Sequence, residues 1–274
     1  MILKIYSSDN GAIKHVKELK KRKYRQKYSE YIVEGIRIIK DALENNQEIK
    51  YILFSESLYN VSGGQELFNI LIKRNIKIYE IPKKIYTELS DTKSPQGIMA
   101  ILSIKQYDLD EVLCASNNLF VVLDRIQDPG NLGTIIRTAD AAGFAGVILT
   151  KGCVDLYNLK TIRATMGSIF HFPIIHGEET IKVIKHLKLK NIKIVSTSLK
   201  TDKYYDEVDY NERTALIIGN EANGVLEEVL ENSDELVKIP MLGKAESLNA
   251  SIAASIIMYE AVRQKRNQKI SKMT

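Results

Sequence analysis

The chain has 274 residues, 45% hydrophobic and 27% charged, with a formal net charge of +5. That composition is ordinary for a globular protein and provides for one large domain or two modest ones. Its two cysteines, Cys114 and Cys153, stand far apart with no CxxC and no Cys/His ligand spacing, which argues against a disulfide framework or a structural zinc site, and no apolar run approaches the ~18 residues that cross a bilayer.

Positive charge gathers at the two ends. Residues 14–27 hold Lys14, Lys17, Lys20, Lys21, Arg22, Lys23, Arg25 and Lys27 against one acid, Glu18. After Glu260 come Arg263, Lys265, Arg266, Lys269 and Lys272 with no acid. A mild basic excess permits nucleic-acid binding without requiring it. The opening MILKIYSSDN is too short for a signal-peptide core, so the expectation is a cytoplasmic protein with neither membrane nor metal.

In chain order, a helix is expected from residues 8–10, with Ile13, Val16 and Leu19 on one face, continuing into the basic run. That run reads equally as a solvated face or as phosphate contact, with Tyr24 and Tyr28 interleaved. Strands are expected at 31–33, 50–54, 76–80 and 97–103, with helices at 35–44, 65–74 and 82–89. This βαβα pattern makes a first domain over residues 1–105. A connector with a helical turn or two covers 106–117.

From residue 118 the apolar runs strengthen. Residues 119–123 lack alternation, as in a strand buried on both faces of a parallel sheet. Further strands are expected at 146–150, 172–175, 193–196, 214–218 and 235–239. Helices are expected at 132–142, about 159–168, 178–187 and 247–266, the last with Leu248, Ile252, Ile256, Tyr259 and Val262 along its stripe. The fold class is α/β, with a second domain over 118–274.

Three segments of this domain mix Gly, Asn, Ser or Glu with apolar residues where a strand meets a loop or helix. In open α/β sheets such junctions bind ligands. In the first, LDRIQDPGNLGTIIRTADAAGF, Asn131 reads as a helix cap and Arg137 as a surface group able to pair with Asp140. In the second, LIIGNEANGV, Asn223-Gly224 signals a turn, and Glu221 follows a buried strand directly. In the third, IPMLGKAESLNASIAASI, Ser247 and Asn249 open a helix dense in small residues. Each is also compatible with a capped helix or a plain turn. No GxGxxG follows the first strand of either domain, and no GxxxxGK[ST], HExxH or GxSxG occurs. His171 and His176 read as structural.

Together the three segments resemble the motifs of the SpoU (TrmH-like) family of tRNA/rRNA 2′-O-ribose methyltransferases in the knotted SPOUT superfamily. Asn131 and Arg137 match the first motif. Gly219, Glu221 and Gly224 match the second. Ile239, Pro240, Met241, Ser247, Leu248 and Asn249 match the third. YIVEGIRIIKDA, within the first domain, resembles the RNA substrate-binding domain of many members, itself similar to a small ribosomal protein.

The resemblance implies an α/β-knot catalytic domain that works as a homodimer, with the site at the subunit interface. It implies S-adenosylmethionine as cofactor, held near Thr197, Gly219, Ile239 and Leu248. It further implies methyl transfer to a ribose 2′-OH of RNA, ribosomal RNA being favoured over transfer RNA. Arg137 would meet the target phosphate and hydroxyl, with Asn131, Glu221, Ser247 and Asn249 shaping the pocket. Lys20, Lys21, Arg22, Lys23 and Arg25 would contact RNA. A guanidinium stays charged at any ordinary pH, so stabilisation of the forming alkoxide suits Arg137 better than general-base catalysis. A non-catalytic RNA-binding or ribosome-assembly protein, base methylation, and a role in resistance to a ribosome-targeting antibiotic stay open.

Overall fold

Two sets of aliphatic and β-branched runs organise the chain into two sheets. The computed structural model describes residues 2–114 and 119–271. The chain folds as two compact units, Met1–Lys105 with Tyr157–Phe170, and Gln106–Leu156 with His171–Thr274. Residues 115–117 of the expected connector and Lys272 of the basic tail lie outside the described residues. Among the described residues no helix is long and apolar enough to cross a membrane, and no group of three His, Cys, Asp or Glu side chains could hold a metal ion.

The first unit contains β1 (Ile2–Lys4), α1 (Gly11–Leu19), α2 (Arg22–Tyr28), β2 (Glu30–Glu34), α3 (Ile36–Glu44), β3 (Ile49–Phe54), α4 (Gly64–Lys73), β4 (Lys77–Glu80), α5 (Lys83–Leu89) and β5 (Ile98–Ser103). Its sheet has the order β1-β4-β3-β5-β2, with β5 antiparallel to both neighbours. The edge strand β1 carries too few residues to show a period in the sequence. Ile13, Val16 and Leu19 are buried on one face of α1, as the spacing predicts.

The basic run is two helices rather than one. Lys21 is extended (φ −102°, ψ 131°) and separates them. Arg25 bridges the break: only 6% exposed, it donates from Nη1 to the Leu19 carbonyl at 2.7 Å. That bond satisfies a carbonyl which the helix end leaves without an intrahelical partner.

The second unit contains α6 (Leu109–Leu113), β6 (Leu119–Asp124), α7 (Pro129–Ala141) and β7 (Gly146–Thr150). Next in the chain is α8 (Leu159–Thr165), which belongs to the first unit. Then come β8 (Ile174–Glu178), α9 (Thr180–Leu189), β9 (Lys193–Thr197), β10 (Thr214–Gly219), α10 (Glu227–Glu231), β11 (Glu235–Val237) and α11 (Ala250–Ser271). All six strands are parallel, in the order β11-β9-β10-β6-β7-β8. The central strands β6 and β10 are buried along their whole length, matching their unbroken apolar runs. Phe120, Val122, Ile148, Ile194 and Ile217 share one core cluster. Cutting such a side chain back to alanine costs roughly 2–5 kcal/mol.

From β6 the chain winds one way to β7 and β8, then returns to lay β9 and β10 on the other side. The strand order reverses between β6 and β10, and a cavity lies beyond the ends of β9, β10 and β11. Two helix starts differ from expectation. The α7 helix begins at Pro129, because a proline at the first helical position gives up no hydrogen bond. Its cap is Asp128, whose Oδ1 accepts from the Asn131 N–H at 2.8 Å, so Asn131 is not the cap. The α11 helix begins at Ala250, with Asn249 Oδ1 accepting from the Ser251 N–H at 2.9 Å, so Ser247 precedes it.

The expected apolar stripe on α11 is not the buried one. Leu248 is 36% exposed, Ile252 49% and Tyr259 51%, whereas Ser251, Ala254, Ile257, Met258 and Ala261 are buried. The side rich in small residues packs on α7 and β10, because it allows the closer backbone approach.

Candidate active site

The three motif segments meet beyond the ends of β6 and β10. Gly219, ending β10, pairs in register with Asp124, ending β6. Beyond Gly219 the chain makes a tight loop closed by paired hydrogen bonds between Asn220 and Gly224. A Cβ on Gly219 would collide with the backbone of Gly224 and Val225, so glycine is required there.

Glu221 projects from this loop onto the start of α7. Its Oε2 accepts from the Gln127 N–H at 3.0 Å, and its Oε1 from the Asp128 N–H at 3.1 Å and from Asn131 Nδ2 at 3.0 Å. Asn131 Oδ1 in turn accepts from Asn249 Nδ2 at 2.9 Å. Asn249 Oδ1 accepts from the N–H and the hydroxyl of Ser251. The amide orientations follow from chemistry. A carboxylate only accepts at one end, and a helix N–H only donates at the other, so both asparagines must point the same way. Asn131, 9% exposed, is the middle link.

Partial burial raises the Glu221 pKa. The Asn131 amide and the backbone N–H groups of Gln127 and Asp128 outweigh that effect and hold it below the usual glutamate value. The site thus keeps a fixed negative charge at the start of α7, where the helix dipole favours one.

Behind this relay lies a cavity of about 390 Å³, lined in part by Thr197, Gly219, Ile239, Ser247 and Leu248. The four residues expected around a cofactor therefore line one space. Its walls combine apolar Ile218, Val225 and Ile257 with the backbone-rich loop 219–224, the Glu221 carboxylate and the Lys200–Glu227 ion pair. That mixture of apolar wall, backbone groups and both signs of charge suits a nucleoside joined to an amino acid, and the volume lies within the usual range for small-molecule sites. S-adenosylmethionine is such a molecule.

Arg137 stands apart from the relay. It is exposed on α7 and makes no hydrogen bond or ion pair with any described residue. The expected Arg137–Asp140 pair is absent, and Asp140 bonds His171 Nδ1 at 2.7 Å instead. Lys20, Lys21, Arg22 and Lys23 are exposed, while Arg25 is buried in its helix junction and is not presented to a ligand. Lys23 lies 4.7 Å from the centroid of the Tyr24 ring, which stacks with Tyr28.

Sequence reasoning passed over Arg125 and Asn220. Arg125 adopts φ 60°, and nothing in its neighbours announces a left-handed residue. Asn220, directly after a buried strand and Gly219, carries the signal of a side-chain-closed turn. Its Oδ1 accepts from the N–H groups of Ala222 and Asn223.

Comparison with known proteins agrees with this geometry. Residues 118–259 match the SpoU rRNA Methylase family, and residues 10–100 match the MRM3-like substrate binding domain. The 23S rRNA (guanosine(2553)-2'-O)-methyltransferase RlmP of Bacillus subtilis is 34% identical over 255 residues, covering 93% of this chain and 97% of that protein. The 23S rRNA (uridine(2479)-2'-O)-methyltransferase of Streptomyces viridochromogenes is 31% identical, covering 89% and 86%. The AdoMet-bound rRNA methyltransferase from Sinorhizobium meliloti superposes with a TM-score of 0.86 at 32% identity, covering 96% of this chain and 98% of that one. In motifs, sheet order and whole-length likeness, this chain belongs to the SpoU rRNA methylase family.

Proposed function

We propose that this protein transfers the methyl group of S-adenosylmethionine to a ribose 2′-OH of ribosomal RNA. The observation that carries the proposal is the directed relay from Glu221 through Asn131 to Asn249, which joins all three motifs beside one cavity. Two relatives covering nearly the whole chain are named as acting on 23S rRNA, which favours ribosomal over transfer RNA.

S-adenosylmethionine brings an already activated methyl group. The protein's task is to hold the oxygen nucleophile in line, and positioning alone supplies up to ~7–11 kcal/mol of barrier reduction. Arg137 is suited to gripping the target phosphate and stabilising the forming alkoxide, since its planar donors are unspent in the free chain. Glu221, Asn131, Asn249 and Ser247 shape the pocket around the nucleotide.

The working unit is a homodimer. The exposed stripe of Leu248, Ile252 and Tyr259 beside the α11 core face is apolar surface suited to a second copy, and a partner there would bring further groups to the exposed Arg137. Residues 1–105 serve as the RNA substrate-binding domain; the expected linker instead opens the methyltransferase unit, since Leu109, Val112 and Leu113 of α6 join its core, and α8 sits with the first unit. Lys20, Lys21, Arg22 and Lys23 supply phosphate contacts. The protein works in the cytoplasm, where its substrate resides.

The test is methyl incorporation. Protein is incubated with labelled S-adenosylmethionine and unmodified ribosomal or transfer RNA, and the RNA is digested to nucleosides. Label on a 2′-O-methylated nucleoside of ribosomal RNA is the expected result. Label on a base, or on transfer RNA alone, contradicts it.

A further inference from the structure

Arg125 is a non-glycine residue in the left-handed region, at φ 60°. Such a conformation is disfavoured for a residue with a side chain, and glycine adopts it freely. An arginine here must therefore contribute through its side chain.

What it touches is specific. Its Nη2 donates to Asp124 Oδ2 at 3.0 Å and to the Gly224 carbonyl at 3.1 Å. Its own carbonyl accepts from Asn220 Nδ2 at 2.8 Å. Arg125 thus grips both ends of the loop 220–224, one through its backbone and the other through its guanidinium. Its anchor is held from several sides. Asp124 is fully buried, and its carboxylate also accepts from the Thr180 hydroxyl at 3.0 Å and the Leu226 N–H at 3.1 Å. The gripped loop returns the hold two residues further along, through Glu221 to the N–H groups of Gln127 and Asp128. The two segments clasp each other, and the loop so held forms one wall of the cavity.

We propose that Arg125 is a positioning residue, whose left-handed backbone and guanidinium together hold the loop 220–224 in the form that binds the cofactor. The inference rests on the methyltransferase reading for the identity of the ligand, but the clasp itself does not. An unclamped loop would sample other conformations, and affinity would fall in proportion to the binding-competent fraction.

Arg125→Gly deletes the guanidinium clamp at a residue that still adopts the left-handed backbone freely. Amide hydrogen exchange over residues 219–225 reads the clasp in the free protein. Calorimetry with S-adenosylmethionine reads its consequence. The expected result is at least tenfold faster exchange at Asn220 and Gly224, with about a tenfold rise in Kd. Arg125→Lys should give smaller changes in both, since one ammonium can reach Asp124 but lacks the fork. If Arg125→Gly leaves Asp124 buried without its cation and unfolds the unit, Asp124→Asn/Arg125→Gly removes that charge and takes its place in both measurements. Unchanged exchange overturns the clasp. Faster exchange with unchanged Kd overturns its role in cofactor binding. Wild-type protein that shows no affinity for S-adenosylmethionine sinks the methyltransferase reading instead, and the exchange data still decide the clasp.

Discussion

Asn131 and Glu221 lie 90 positions apart in the sequence and meet at 3.0 Å, the asparagine amide donating to the carboxylate. The bond joins the start of α7 to the loop after β10 and fixes which way Asn131 faces. Its carbonyl oxygen is thereby turned to Asn249.

Asn131→Asp tests that polarity. The substitution is nearly isosteric but sets two carboxylates face to face, and they share one proton rather than both ionise. Activity at neutral pH is expected to fall about a hundredfold or more, with partial recovery as pH is lowered and the pair takes up a proton. A flat pH response of the variant relative to wild type would show that the two groups do not face each other.

Arg137→Lys is expected to leave the thermal midpoint within about 1 °C of wild type, since surface substitutions free of folded-state bonds usually change stability by under ~0.5 kcal/mol. Turnover should fall at least tenfold, because a point charge does not replace a planar fork. Retention of most turnover would remove the role assigned to the guanidinium. Comparing melting with single-turnover rates makes the distinction.

Gly219→Ala places a methyl group against the backbone of Gly224 and Val225. The loop must move, and overpacking of this kind costs typically ~1–3 kcal/mol. The predicted outcome is a folded protein with little or no affinity for S-adenosylmethionine by calorimetry.

Glu221 gives an acid-limb prediction. Its folded pKa is below the ordinary value, so the folded form binds the proton less readily than the unfolded chain. The carboxylate's contribution to stability is complete above the ordinary glutamate range of about 4.3 and is lost as pH falls through the lowered value. Thermal melts of wild type and Glu221→Gln should diverge above that range and converge as the pH falls through the lowered value.

Neutralising Lys20, Lys21, Arg22 and Lys23 together should weaken RNA binding and reduce the salt slope by roughly 0.7–0.9 for each phosphate no longer neutralised. Arg25→Gln should behave differently. Arg25 is spent on the Leu19 carbonyl, so its removal should lower stability and leave the slope unchanged. Filter binding across a salt series, with melting curves, distinguishes the two classes.

Much of the architecture is legible in local pattern. The unbroken apolar runs of β6 and β10 announce a buried parallel sheet, and Gly219, Glu221 and Asn249 mark strand ends and a helix start where ligands gather. What local pattern does not carry is partnership. Asn131 reads as a cap because asparagine caps helices, yet Asp128 takes that place and frees the Asn131 amide for Glu221. Arg25 reads as one more cation in a basic run until its burial at the α1–α2 break is seen. On α11 two apolar stripes compete, and the sequence favours the larger side chains, whereas packing on α7 and β10 selects the small ones. Arg125 is silent because a left-handed backbone is chosen by its tertiary neighbours.

The most direct test of a single site joined through Asn131 is a cycle that reverses the relay. Asn249→Asp keeps an acceptor for Ser251 and removes the donor to Asn131. Glu221→Gln keeps one acceptor oxygen and gains an amide donor, so its amide can meet Asn131 either way round. Asn249→Asp alone sets two acceptors together at one end of Asn131 or, if Asn131 turns over, at the other. In the double variant Asn131 turns over, donates to the new carboxylate at position 249 and accepts from the new amide at position 221, at the cost of the bond from the Asp128 N–H. The measurement is kcat/KM for methyl transfer in wild type, both single variants and the double. A double variant at least fivefold more active than the product of the single effects, a coupling of about 1 kcal/mol or more between residues that do not touch, is the predicted result. Activity equal to that product would contradict a relay running through Asn131.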